Sequence, residues 1–107
     1  MTYKEARVKF SLLIAQQLLD MNMGDYTAAF NEGMDRITEK DPTSDHAEHG
    51  FHPLGLAMDI DLYWKGTYQV TTEAHKAFGE MWEKRYPLCR WGGRWNDGNH
   101  YELNWKK

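Results

Sequence analysis

The sequence predicts an α+β fold, a small and mostly antiparallel sheet with two main helices. Three observations predict it. Apolar residues recur at helical spacing over residues 4–21 and again over 72–86. Apolar and polar residues alternate over 56–64 and over 100–105, as half-buried strands require. Stretches rich in Gly, Pro, Asn and Asp separate these segments. A chain of 107 residues suits one hydrophobic core, so residues 1–107 are read as a single domain.

In the first helix Ala6, Phe10, Leu13, Ile14, Leu18 and Met21 form one stripe. Val8, Leu12, Ala15 and Leu19 widen it, which predicts a well-buried helix ending at Asn22 and Gly24. Residues 25–32 read as a first strand. Residues 33–55 read as a long loop, broken by Gly33, Pro42, Gly50, Pro53 and Gly55, and loops of that length are often functional. In 56–64, Leu56, Met58, Ile60, Leu62 and Trp64 point to one side, and Ala57, Asp59, Asp61 and Tyr63 to the other. Lys65-Gly66-Thr67 turns the chain into a short strand, Tyr68 to Val70. Thr71 or Thr72 caps the second helix, whose core stripe is Ala74, Ala77, Phe78, Met81 and Trp82. Residues 88–99 read as a second loop. Tyr101, Leu103 and Trp105 then share one face of the last strand, and His100, Glu102 and Asn104 the other.

Composition excludes several functions. The formal charge of −3 and pI near 5.9 lack the basic footprint of a nucleic-acid binder. No apolar run approaches the ~20 residues of a membrane span. Gln16 and Gln17 interrupt the apolar stretch Leu12–Ala15 with no cleavage site after it, so no signal peptide is expected, and a monomer made in the cytoplasm is. Cys89 stands alone, which rules out an internal disulfide and a cysteine-based zinc site and fits a small buried hydrophobe.

Metal ligands must therefore come from His, Asp and Glu. Asp59 and His100 lie on the polar faces of two strands, and they meet if those strands are neighbours. His52 lies just before the first strand. Two His and one carboxylate leave a fourth position open, the pattern of catalytic zinc. Asp97, three residues before His100, stands where a general base is needed.

Two linked motifs sharpen this reading. His52 to Asp59 has the form HxxGxAxD, and Trp91 to Glu102 has the form WGGxWxDxxHxE. In this order they resemble the D-alanyl-D-alanine carboxypeptidase and L-alanyl-D-glutamate endopeptidase family of zinc peptidases, most closely its small phage endolysins. The resemblance covers about residues 45–105. It implies a Hedgehog/DD-peptidase-like fold, one zinc ion held by His52, Asp59 and His100, and Asp97 as catalytic carboxylate. It further implies a substrate-binding Arg, matched here by Arg36. Gly50 stands where the family often has a Ser.

The expected function is hydrolysis of an amide bond in the peptidoglycan stem peptide, after release of the protein to the cell wall. Endopeptidase and carboxypeptidase action both remain open. The alternative is a zinc-binding or partner-binding module of the same fold without catalysis. His46 and His49 read as solvated loop residues, with added ligands or substrate contacts as the alternative, and Asp61 and Glu102 as partners of the ligating His or as exposed carboxylates. His75 reads as a surface residue. Trp91 and Trp95 read as core or cleft residues, with Trp95 the candidate substrate contact.

Overall fold

The computed structural model describes residues 1–31, 51–52 and 54–106. Its elements are two α-helices and five short strands in one antiparallel sheet, the α+β class expected.

Helix α1, Tyr3–Met21, starts with a capping box. The Thr2 hydroxyl accepts the Glu5 N–H at 3.1 Å, and the Glu5 carboxylate accepts the Thr2 N–H at 2.7 Å. Asn22 ends it: its amide donates to the carbonyls of Leu18 and Ala28, and its side-chain oxygen accepts the Ala28 N–H. The same residue thus closes the helix and sets the start of strand β1, Tyr26–Phe30. The expected burial of this helix is corrected. Ala6, Phe10, Ile14, Gln17 and Met21 are buried, whereas Val8, Leu12 and Leu19 are 55%, 67% and 67% exposed. The helix lies on one side of the sheet, so one narrow stripe faces the core and the added apolar residues face outward. Gln17 is buried because it is bonded at both ends. It donates to the Phe78 carbonyl at 2.9 Å and accepts from Arg85 Nε at 2.7 Å.

Strand β2, Ala57–Trp64, is the longest. Its second half pairs with β1, from Phe30↔Ile60 to Tyr26↔Trp64. Lys65 and Gly66 both take positive φ, 50° and 79°, in a two-residue turn whose twist matches an antiparallel hairpin. Strand β3, Thr67–Tyr68, follows at once, so it begins one residue earlier than expected and leaves Val70 outside. Thr71 accepts the Ala74 N–H, and a 3-10 turn, Glu73–His75, leads into helix α2, Lys76–Arg85. In α2 Phe78, Gly79 and Trp82 are buried, while Ala77 of the expected stripe is exposed.

The stretch 88–99, expected as a loop, contains strand β4, Cys89–Trp91, followed by a 3-10 turn, Gly92–Trp95. Three residues are too few to show alternation, and the strand exists through pairing with β5, His100–Leu103, in the register Cys89↔Leu103 to Trp91↔Tyr101. The sheet order is β1-β2-β5-β4, with β3 on β2. Ile60, Leu62, Tyr101 and Leu103 form the core face and are fully buried. Trp82 meets Phe10 and Tyr101 edge-on, 6.0 Å from each, and its indole N–H is shared between the carbonyls of Arg90 and Glu102. The opposite face carries Asp59, His100 and Glu102.

Candidate metal centre

The first half of β2 pairs with β5, and Asp59 stands directly opposite His100. Residues opposite one another in an antiparallel pair project to the same face. The condition set by the sequence, that these two strands be neighbours, is therefore met. His52 reaches the same point from a tight turn. The Gly55 N–H bonds to the His52 carbonyl, the Leu56 N–H to the Phe51 carbonyl, and the Tyr3 hydroxyl donates to the Leu54 carbonyl at 2.6 Å. Gly55 has φ +73°, which explains a glycine three residues after the histidine.

The donor atoms converge. His52 Nε2 lies 3.0 Å from His100 Nδ1 and 3.3 Å from Asp59 Oδ1, and His100 Nδ1 lies 3.5 Å from Asp59 Oδ1. Ligand bonds of about 2.0–2.1 Å in a tetrahedron place neighbouring donors about 3.3 Å apart, so these spacings fit a single small divalent cation. Two imidazoles and a carboxylate suit a borderline transition metal. Among the described residues this is the only cluster of three such groups within ligating reach.

Glu102 positions the inner histidine. Its carboxylate lies 2.7 Å from His100 Nε2 and is 5% exposed. The carboxylate accepts the Nε2–H, so that once His100 gives up its second proton it is Nδ1 that stands bare towards the cluster. This decides between the two readings of Glu102 in favour of the histidine partner. Asp61 takes another role. It accepts from the Asn31 amide at 3.0 Å and lies 3.5 Å from the Tyr68 hydroxyl. Arg90 Nε stands 3.8 Å from Glu102, and its guanidinium lies over the Trp95 ring at 5.0 Å. Arg90 did not stand out in the sequence, because its tie to Glu102 depends on the pairing of β4 with β5.

Charges in the site are strongly coupled. Burial raises the Asp59 pKa, but hydrogen bonds from His100 and His52 outweigh it and hold the carboxyl well below its ordinary range. Burial likewise lowers His100, but Asp59 and Glu102 on either side bring it up to about 9.

Asp97 lies on the rim, half-exposed, with Oδ2 3.8 Å from His100 Nδ1. The turn that carries it is tightly held. The Asp97 N–H bonds to the Gly92 carbonyl at 2.9 Å, and the His100 N–H to the Asp97 carbonyl at 3.1 Å. A Cβ at Gly92 would stand 2.2 Å from the Asp97 carbonyl oxygen and 2.6 Å from His100 Cβ, so this glycine permits the close approach of the two residues. Trp95 is 43% exposed, its ring 5.6 Å from that of His100, so it borders the cluster on the open side. Trp91 is a core residue, 3% exposed, donating to the Gly98 carbonyl at 2.7 Å.

Two further expectations change or fall away. His75, expected at the surface, is 3% exposed, with Nδ1 3.1 Å from the Tyr101 hydroxyl. Burial holds it below the ordinary imidazole value. Its position beside the apolar stripe gave no sign of this, because the short 3-10 turn rotates it inward. Arg36, His46 and His49 lie outside the described residues. Cys89 is buried as expected, and burial pushes its thiol up to about 12. No helix among the described residues is long and apolar enough to cross a membrane. Comparison with protein-family models, with curated proteins and with solved structures finds no match for this chain.

Proposed function

We propose that the chain is a zinc-dependent peptidase that hydrolyses an amide bond of the peptidoglycan stem peptide. The observation that carries the reading is the convergence of His52, Asp59 and His100 with the carboxylate of Asp97 3.8 Å from the innermost ligand. The motifs around these residues support it, and a Hedgehog/DD-peptidase-like fold is part of the same proposal.

Zinc, when bound, lowers the pKa of water to about 7 and polarises the scissile carbonyl. The chain supplies the rest. His52, Asp59 and His100 hold the ion, and Glu102 fixes the tautomer of His100. Asp97 takes the proton from the attacking water as the oxygen–carbon bond forms. It returns that proton to the amine nitrogen as the carbon–nitrogen bond breaks. Its half-exposed carboxylate, 3.8 Å from His100 Nδ1, suits both transfers. The exposed Trp95 ring, held by Arg90, forms one wall for the peptide.

The test is wall lysis by the purified protein as isolated, after chelation, and after zinc or another divalent metal is restored. Lysis lost on chelation and recovered with zinc is expected. The Asp97→Ala variant should keep stoichiometric zinc and lose lysis by about 100-fold or more. Stoichiometric zinc without lysis in the unaltered protein would favour a binding module, and no metal binding at all would remove the reading.

A further inference from the structure

We infer that Tyr63 and Tyr68 form a platform for the sugar that carries the stem peptide, and that the bond cut is the one a single residue away from that sugar, between L-Ala and D-Glu. The inference rests on the peptidase reading above and concerns its substrate.

The pair stands on the face that bears Asp59 and His100. Side chains two apart in a strand share a face, so Asp59, Asp61 and Tyr63 follow one another along β2. Tyr68 of β3 is directly opposite Tyr63 and projects to the same side. The two rings lie 5.5 Å apart with 58° between their planes, an open corner rather than a closed stack. Tyr68 is exposed and Tyr63 half-buried. The Tyr68 hydroxyl reaches back along the face, 3.5 Å from Asp61 Oδ1. Burial and the neighbouring Asp61 and Tyr63 raise the pKa of that hydroxyl, and Asp59 adds to the rise, so the hydroxyl feels the ligand cluster itself.

The chemistry suits a sugar. A pyranose ring is apolar on its C–H faces and polar at its rim. Tyrosine rings match the faces. Asp61 matches the rim. It accepts from the Asn31 amide at 3.0 Å and from Tyr68, both on Oδ1. A carboxylate has about four acceptor sites, so Asp61 can take a sugar hydroxyl or acetamido N–H as well. Apolar walls with a few placed polar groups are the general form of a small-ligand site.

The spacing selects the bond. At about 3.3 Å per residue, Asp61 lies about 7 Å and Tyr63 about 13 Å from Asp59 along the strand. Cutting between L-Ala and D-Glu leaves one residue and a lactyl link between the scissile carbonyl and the sugar, about 7 Å in an extended substrate, so the sugar lies over the pair. Cutting before the terminal D-Ala leaves four residues and the link, about 17 Å, and carries the sugar past the pair.

The experiment compares two substrates with the zinc-loaded full chain. One is an N-acetylmuramoyl stem peptide, and the other is the same peptide with an acetyl group in place of the sugar and its lactyl link. Mass spectrometry reads the bond cut and kcat/KM for each. Cleavage between L-Ala and D-Glu is expected, with the sugar-bearing substrate cut faster by about tenfold and the gain lying in KM. Tyr68→Ala should bring the ratio of the two rates close to one, and Tyr68→Phe, which keeps the ring, should hold most of it. A tyrosine pair that serves only the hairpin would lower both rates alike and leave the ratio intact. Equal rates with the unaltered protein, a ratio untouched in Tyr68→Ala, or cleavage at any other bond would overturn the inference and leave the peptidase reading standing. Cleavage of neither substrate, with zinc bound, would overturn both.

Discussion

Removing the Glu102 carboxylate tests how the candidate metal cluster is built. Glu102 is 5% exposed and lies 2.7 Å from His100 Nε2, and it is one of two acids that bring His100 to about 9. Its loss has two opposed effects on metal affinity. Without it His100 loses its orientation and its preferred tautomer, which at comparable sites weakens binding about 10–100-fold. In the metal-free protein, however, a proton on His100 competes with the metal. A pKa two units above pH 7 makes that competition worth about 100-fold, or about 2.7 kcal/mol. Removing Glu102 lowers the His100 pKa and relieves part of it. The size of the loss therefore depends on pH. In the unaltered protein affinity should rise by about tenfold per pH unit from 7 towards 9. In Glu102→Ala the loss should be small at pH 7 and approach the full 10–100-fold near pH 9. Glu102→Gln, which keeps an acceptor and loses the charge, should fall between. Competition with a chromophoric zinc chelator across this range measures the affinities, and circular dichroism confirms that the variants fold. Affinities in both variants equal to the parent at pH 7 and pH 9 would refute the role given to Glu102.

Three other outcomes follow from the same structure. Gly92→Ala should destabilise the fold by about 1–3 kcal/mol, because its new methyl meets the Asp97 carbonyl and His100 together; urea unfolding of the metal-free protein checks this. His75 is buried and its folded pKa is depressed, so the unfolded chain takes up its proton first and stability should fall as pH drops below about 6.5. His75→Gln should flatten that fall in thermal melts between pH 7.5 and 5.5, and an unchanged slope would reject the assignment. Leu12→Lys, at a position 67% exposed, should change stability by no more than about 0.5 kcal/mol, where a core leucine would cost several. A large loss would mean that α1 packs as the sequence first implied.

How far the sequence could be read depended on the length of each pattern. Eight residues of β2 were enough to show alternation, and so to place Asp59 on the polar side with Ile60 and Leu62 inward. β5 is shorter, but its alternation with β2 made the meeting of Asp59 and His100 a testable condition. β4 was missed because three residues followed by Gly92-Gly93 carry no period, and with it went the pairing of Arg90 with Glu102. In α1 the fault was excess signal. Nearly every apolar residue fitted some helical stripe, and which stripe faces the core is decided by the sheet rather than by the helix. Gln17, a polar residue, is fully buried while Leu12 is not, because Phe78 and Arg85 satisfy its amide from across the core. The meeting of His52, Asp59 and His100 was legible because these residues sit in local motifs, whereas the contact of His75 with Tyr101 joins positions 26 residues apart and has no local signature.

The setting of Trp91 bears on how this chain can change over time. A methyl group at Gly79 would stand 2.0 Å from its indole, and one at Gly93 would stand 2.1 Å from it. One ring thus fills the space vacated by two missing side chains, one on α2 and one in the 3-10 turn. Neither glycine can acquire a side chain while the indole remains, and replacing the indole alone leaves a hole between two bare backbones. The three positions are bound to vary as a set, so a lineage drifting by single substitutions meets a barrier at each of them. The turn bearing Asp97 inherits that constancy, since the indole N–H is tied to the Gly98 carbonyl within it.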